Sequence, residues 1–127
     1  MQETKKKKIL IIEDEKPLSH ALELKLTHEG FEATSTESGK SGIEMLEKGD
    51  FDLVVCDLIT PGLDGFQVLQ TIKDKKIKTP VMVMTNLNQE EDKKRAEDLG
   101  AIGFFVKSNV TISEIVEHIK EKMHKSS

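Results

Sequence analysis

Cysteine, surplus basic charge and long hydrophobic runs are all scarce in this sequence, and each shortage excludes something. One cysteine, Cys56, among 127 residues cannot form an internal disulfide, so a reducing, cytoplasmic setting is expected. Nineteen Lys and Arg against 23 Asp and Glu leave a net charge of −4, which argues against direct nucleic-acid binding, because such modules are usually basic. The basic run Lys5-Lys6-Lys7-Lys8 reads as a solvated flank. Only the short apolar run Ile9–Ile12 separates it from Glu13-Asp14-Glu15, too little for a signal-peptide core or a membrane span. There is no Pro-rich or Gly/Ser-rich linker and no internal repeat. The length fits one domain over 1–127, with a core at about residues 7–124 and frayed ends at 1–7 and 125–127.

What the sequence does have is alternation. Short runs of mainly apolar residues occur at Ile9–Ile12, Leu53–Cys56, Val81–Met84 and Ile102–Val106. Such runs suit strands buried on both faces, as in a parallel sheet. Phe31–Thr36 alternates more and reads as an edge strand. Helical periods lie between them. The first opens at Pro17, carries Leu18, Ala21, Leu22 and Leu26 on one face and stops at Gly30. The second carries Ile43 and Leu46 and ends before Gly49. The third runs from about Gly65 to Lys75 on Phe66, Leu69 and Ile72. The fourth opens on a capping box, Asn88-Gln89-Glu90-Glu91, and ends at Gly100. The fifth opens on another, Thr111-Ile112-Ser113-Glu114, with the stripe Ile112, Ile115, Ile119 and Met123. Strand followed by helix, five times over, predicts an α/β, doubly wound (βα)5 domain around a five-stranded parallel sheet.

In such a sheet, ligands bind at the carboxyl ends of the strands. There the first strand delivers Glu13-Asp14-Glu15, the third Asp57, the fourth Thr85-Asn86 and the fifth Lys107-Ser108. Two unit charges ~4 Å apart repel by about 4 kcal/mol at an effective dielectric of 20, so clustered carboxylates call for a cation. Oxygen-only donors with positions left for water suit Mg²⁺. Asp57 is the central carboxylate and can act as a nucleophile on phosphorus. Mg²⁺ and Lys107 would offset charge on the transferring oxygens, and Thr85 supplies a hydroxyl. Other groups have plainer readings. Glu15 is a helix-start acid. Asp64-Gly65 is a helix cap and tight turn rather than a metal ligand. Cys56 is core. His20, His28, His118 and His124 are surface residues without a metal-like cluster.

Several of these segments, taken in order, carry a resemblance. They are Glu13-Asp14, the stretch from Asp57-Leu58-Ile59-Thr60 through Pro61-Gly62-Leu63-Asp64-Gly65, Thr85, and Gly103-Phe104-Phe105-Val106-Lys107. Over about residues 7–124 the chain resembles the CheY-like receiver domain of two-component response regulators, which has a flavodoxin-like fold. The resemblance implies that Asp57 is the phosphoacceptor. It implies that Glu13, Asp14, Asp57 and the backbone carbonyl of Ile59 hold Mg²⁺, and that Lys107 meets the phosphoryl oxygens. Thr85 would be the switch hydroxyl and Phe104 its coupled aromatic, though Phe104 reads equally as core packing. A histidine kinase or phosphotransfer protein would donate the phosphoryl group. The face of the fourth helix, fifth strand and fifth helix would meet a downstream protein target, and the chain would be a monomer or a weak homodimer on phosphorylation.

The chain departs from the family pattern in places. Glu13 stands where Asp is more usual. Asn86 stands where Ala or Gly is usual, able either to narrow access to Asp57 or to hydrogen-bond near the phosphate. Ser108 replaces a usual Pro, which disfavours the family's cis peptide there, since a cis bond before a non-proline residue costs about 3 kcal/mol. Ile59 and Leu87 are apolar and would flank the path of an attacking water without orienting it, so slow self-dephosphorylation is expected. An aspartate-nucleophile phosphatase or phosphotransferase is the competing enzyme reading. It would need a second acid two residues after the nucleophile, where Ile59 stands. A receiver, by contrast, is no enzyme beyond self-phosphotransfer and self-dephosphorylation. A flavin module would place its phosphate against Glu13-Asp14-Glu15, which would repel it. A receiver-like scaffold that is never phosphorylated is the remaining alternative.

Overall fold

The computed structural model describes residues 6–125, with side chains through Met123. Along the chain run β1 (Lys8–Ile12), α1 (Lys16–His28), β2 (Glu32–Thr36), α2 (Gly39–Lys48) and β3 (Leu53–Cys56). Then come α3 (Gly65–Asp74), β4 (Val81–Thr85), α4 (Glu90–Asp98), β5 (Gly103–Val106), a 3-10 turn at Lys107–Asn109 and α5 (Ile112–Lys125). The strands form one five-stranded sheet in the order β2-β1-β3-β4-β5, parallel throughout. This is the doubly wound arrangement the alternation predicts, with β2 at an edge.

Helices on both faces explain why the inner strands are apolar at every position. One face holds Ile9, Ile11, Val55, Met82 and Met84, covered by Leu22 and Leu26 of α1 and by Ile115, Val116, Ile119 and Met123 of α5. The other holds Leu10, Ile12, Val54, Cys56 and Val83, covered by Ile43 and Leu46 of α2, Val68, Leu69 and Ile72 of α3, and Ala96 of α4. Successive strand side chains alternate between these two clusters, and each fully buried Leu or Ile contributes about 1.5–3 kcal/mol.

The helix ends follow local chemistry. Pro17 lies in the first turn of α1, and Gly30 turns the chain after it at a φ of +96°. At α3 the Gln67 N–H donates to Asp64 Oδ1 at 2.9 Å, and the Asp64 N–H donates back to Gln67 Oε1 at 2.8 Å, so Asp64 is the cap that the sequence implied. Thr111 and Glu114 form the same reciprocal pair at α5, at 2.8 and 3.1 Å. Helix α4 differs from expectation. Its cap is Gln89, without a side-chain cap bond, so the box expected from Asn88 does not close. The N–H groups of Asp92 and Lys93 both donate to the Gln89 carbonyl, which starts the helix one residue later. Ala96 is the one residue that α4 fully buries, and the Arg95 guanidinium lies 4.1 Å from the Phe66 ring centroid of α3.

The ends expected to fray fall mostly outside the described residues; within them, Lys125 closes α5. No helix among the described residues is long and apolar enough to cross a membrane. Gly65 has a steric reason to be glycine. A Cβ there would lie 2.5 Å from Leu58 Cα and 2.6 Å from the Asp57 carbonyl oxygen, so α3 starts directly against the backbone that carries Asp57.

Candidate functional site

The sheet ladder continues past the strand ends and fixes the acids. The Asp57 N–H donates to the Ile12 carbonyl at 3.0 Å, and the Glu13 N–H donates to the Thr36 carbonyl at 3.0 Å. Asp57 therefore stands beside the Glu13 segment at the carboxyl edge of β1 and β3. The loop after Asp57 is pinned by Thr60 Oγ1 donating to the Leu63 carbonyl at 2.7 Å and by the Gly65 N–H donating to the Leu58 carbonyl at 2.9 Å.

Glu13, Asp14 and Asp57 each bring a carboxylate oxygen to within 4.8 Å of the others. Glu13 and Asp57 are buried, at 1% and 3% exposure, and Asp14 is open to solvent. An all-oxygen donor set of this size, sealed below and open on one side, fits a hard divalent ion that keeps some of its water.

Lys107 reaches into the same cluster from the far edge of the sheet. Its Nζ donates to Asp57 Oδ2 at 2.8 Å, Glu13 Oε1 at 2.9 Å and Glu15 Oε2 at 3.0 Å. The second oxygens are also held: the Ile59 N–H donates to Asp57 Oδ1 at 3.0 Å, and the Glu15 N–H to Glu13 Oε2 at 2.9 Å. Burial pushes the Glu13 carboxyl above its ordinary pKa, against the pull of Lys107 and the Glu15 amide. Burial works to lower the Lys107 ammonium, but hydrogen bonds to Asp57, Glu13 and Glu15 outweigh it and hold the group well above the usual lysine range. Lys107 thus stays charged in a partly desolvated site.

Thr85 is fully buried at the end of β4, where its Oγ1 accepts from the Leu87 N–H at 3.3 Å. It pairs in register with Val106, directly before Lys107. Phe104 is half-buried and packs on the α2–α3–α4 side of the sheet. Cys56 is core: burial, with Asp57 adding to it, raises its thiol far above a reactive range. His20, His28 and His118 are exposed, as read from the sequence; the His124 side chain lies outside those described.

The sequence reading placed Glu13, Asp14, Asp57 and Lys107 together, and the structure brings them together. For Ile59 the contact seen is its amide on Asp57. Two features escaped the sequence. Glu15, read as a plain helix-start acid, is a partner of Lys107 as well as the cap residue of α1. Its position two residues after Glu13 on the same turn is the signal that could have found it. The other is the bond made by Asn86, read from the sequence as able to narrow access to Asp57 or to hydrogen-bond near a phosphate: its Oδ1 accepts from the Ser108 N–H at 3.1 Å. The described residues contain no cis peptide bond, so Ser108 follows Lys107 through a trans bond.

Residues 9–120 match the family model described as the response regulator receiver domain. The cell cycle response regulator CtrA of Brucella ovis is 33% identical over 100 residues, 79% of this chain but 43% of that relative, so the chain spans less than half of the relative's length. Among solved structures, the phosphorylated cyanobacterial phytochrome response regulator RcpA superposes with a TM-score of 0.84 at 26% identity, covering 97% of both chains. A CheY-like receiver domain protein from Methanospirillum hungatei superposes at 0.88 with 23% identity over 95% of this chain and 96% of its own, which bears on the fold alone. With the family model spanning residues 9–120 and the Brucella relative agreeing, the chain belongs to the response regulator receiver domains, a family of signalling domains.

Proposed function

We propose that this chain acts as one receiver unit that accepts a phosphoryl group on Asp57 with Mg²⁺ bound beside it. The observation that carries the reading is the convergence of Glu13, Asp14 and Asp57 within 4.8 Å, with Lys107 Nζ 2.8 Å from the Asp57 carboxylate. Glu13, Asp14, Asp57 and the Ile59 carbonyl would hold the ion. When bound, Mg²⁺ would neutralise charge on the transferring oxygens.

The chain's own residues supply the rest. An Asp57 oxygen attacks phosphorus, an O–P bond forms, and the bond to the donor's leaving group breaks with its electron pair. Each Asp57 oxygen accepts one hydrogen bond in the resting site, from the Ile59 amide and from Lys107, and keeps a second lone pair for the attack. Lys107 can then turn from the carboxylate to an oxygen of the new phosphoryl group without leaving the site. Thr85, whose Oγ1 accepts from the Leu87 amide in the resting site, turns its O–H to donate to a phosphoryl oxygen, and Phe104 follows by repacking on its side of the sheet. The donor is a histidine kinase or phosphotransfer protein, as family membership supports, and the relative RcpA is known in a phosphorylated form. Output passes to a protein partner through the α4–β5–α5 face, with the chain monomeric or weakly dimeric.

The test is incubation with Mg²⁺ and acetyl phosphate, read by intact mass. A gain of one phosphoryl group that Asp57→Asn abolishes is expected. A folded wild-type chain that never gains the group would leave the scaffold reading. Repeated turnover of a phosphate ester would favour the phosphatase reading.

A further inference from the structure

We infer that Asn86 is a positioning residue for Lys107, acting as an out-of-sequence cap on the turn that carries it; this rests on the phosphoryl-acceptor reading. The β4–β5 ladder ends at the pair Thr85↔Val106. Beyond it the chain enters the 3-10 turn Lys107–Asn109. A helical turn leaves its first N–H groups without partners inside the turn, and a side-chain oxygen at the cap position usually accepts from one of them. Here the cap position is Val106, which has no such oxygen and makes no side-chain cap bond. The acceptor arrives from the neighbouring strand end instead: Asn86 Oδ1 takes the Ser108 N–H at 3.1 Å.

This bond extends the ladder by one rung, made from a side chain. It lies next to Thr85 on one strand and next to Lys107 on the other. Lys107 must hold its ammonium at 2.8–3.0 Å from three carboxylates placed just past β1, just past β3 and at the cap of α1. A turn free to rotate would swing that long side chain off the cluster. Asn86 and Ser108 are both exposed, so water competes for the bond. Its role is therefore to orient the turn, and the fold does not depend on it. It also makes the Thr85 and Lys107 segments move as one piece, so a displacement of either strand end is felt at both.

The experiment uses the full chain with Asn86→Ala and Ser108→Ala. Ser108→Ala keeps the backbone N–H and hence the bond. The Lys107 ammonium is read directly by its side-chain ¹³Cε and ¹⁵Nζ shifts, beside melting temperature and the rate of phosphoryl uptake from acetyl phosphate. Asn86→Ala is expected to move the Lys107 shifts and slow uptake by about threefold to tenfold. Its melting temperature should fall by less than about 4 °C. Ser108→Ala should leave the Lys107 shifts in place. Lys107 shifts unmoved by Asn86→Ala, equal displacement by Ser108→Ala, or a fall above about 10 °C in the Asn86 variant would each overturn the proposal. If the wild type takes up no phosphoryl group, the acceptor reading fails, and the shift comparison still decides the role of Asn86.

Discussion

Replacing Lys107 with methionine should destabilise the metal-free protein by an amount the site geometry sets. The ammonium bridges two nearly sealed carboxylates: side-chain exposure is 9% for Lys107, 0% for Glu13 and 5% for Asp57. Removing one partner of a buried ion pair costs about 3–5 kcal/mol, because the other charge is left uncompensated. The contact to Glu15, whose side chain is 58% exposed, adds little, about 0–1 kcal/mol. Asp14 opens one side of the cluster to water, which places the loss near the lower end, at about 3 kcal/mol. An unfolding entropy of about 2.1 cal/mol/K per residue over 127 residues is roughly 0.27 kcal/mol/K, so the melting temperature should fall by about 11 °C. The deficit has a pH signature. Burial raises the folded Glu13 pKa above its ordinary 4.5, and loss of the lysine removes a group that lowers it. A carboxyl with a raised folded pKa binds more protons folded than unfolded, so stability is lost as pH rises through the folded value and regained as pH falls. The deficit should therefore be largest near neutrality and shrink toward about pH 5, and under the proposed function Mg²⁺ should shrink it too. Thermal melts of both proteins at the two pH values, in chelator and in Mg²⁺, measure this. Equal melting temperatures at neutral pH in chelator, or a deficit that grows in acid, would refute the reasoning.

The other expectations follow from single contacts. Gly65→Ala puts a methyl group 2.5 Å from Leu58 Cα and 2.6 Å from the Asp57 carbonyl, both backbone atoms that cannot turn away. A loss of about 2 kcal/mol or more in a denaturant titration is expected, with weaker phosphoryl uptake because the Asp57 loop must shift. Arg95→Ala removes the cation over the Phe66 ring and should lower stability by about 0.5–1 kcal/mol, with the extra amide exchange confined to α4 and its flanks. Ile59 is 55% exposed beside Asp57 and offers water no hydrogen bond. Ile59→Asn should shorten the phosphoryl half-life, followed by mass after the donor is removed; an unchanged half-life counts against the idea.

How far the sequence carried the reading depended on how strong each local signal was. The strands were legible because burial on both faces leaves no room for polar residues: Leu53–Cys56 matches β3 residue for residue, and Val81–Met84 falls one short of β4. Helix α5 was legible because its cap and its stripe agree. Helix α4 was misread at its start, since Asn88, Gln89, Glu90 and Glu91 offer competing caps and the backbone of Gln89 wins. The acids and Lys107 were placed by a topological rule that brings strand ends together, with no contact needed to infer it. The partners of Glu15 and Asn86 escaped because they lie 92 and 22 residues away along the chain, and only the place of Glu15 two residues after Glu13 hinted at a role beyond that of a solvated turn acid.

Helix α4 rests on one alanine and one stacked guanidinium, while α3 beside it buries Phe66, Val68, Leu69 and Ile72. Elements with so little apolar anchorage open at free energies far below that of the whole molecule. An event at the strand ends needs to disturb the α4 seat by only about 1–2 kcal/mol to change how long it stays docked, a tenfold effect per 1.4 kcal/mol. Among the described helices α4 thus has the thinnest apolar seat, and a small chemical change at the neighbouring strand ends would be heard there without loosening the other four.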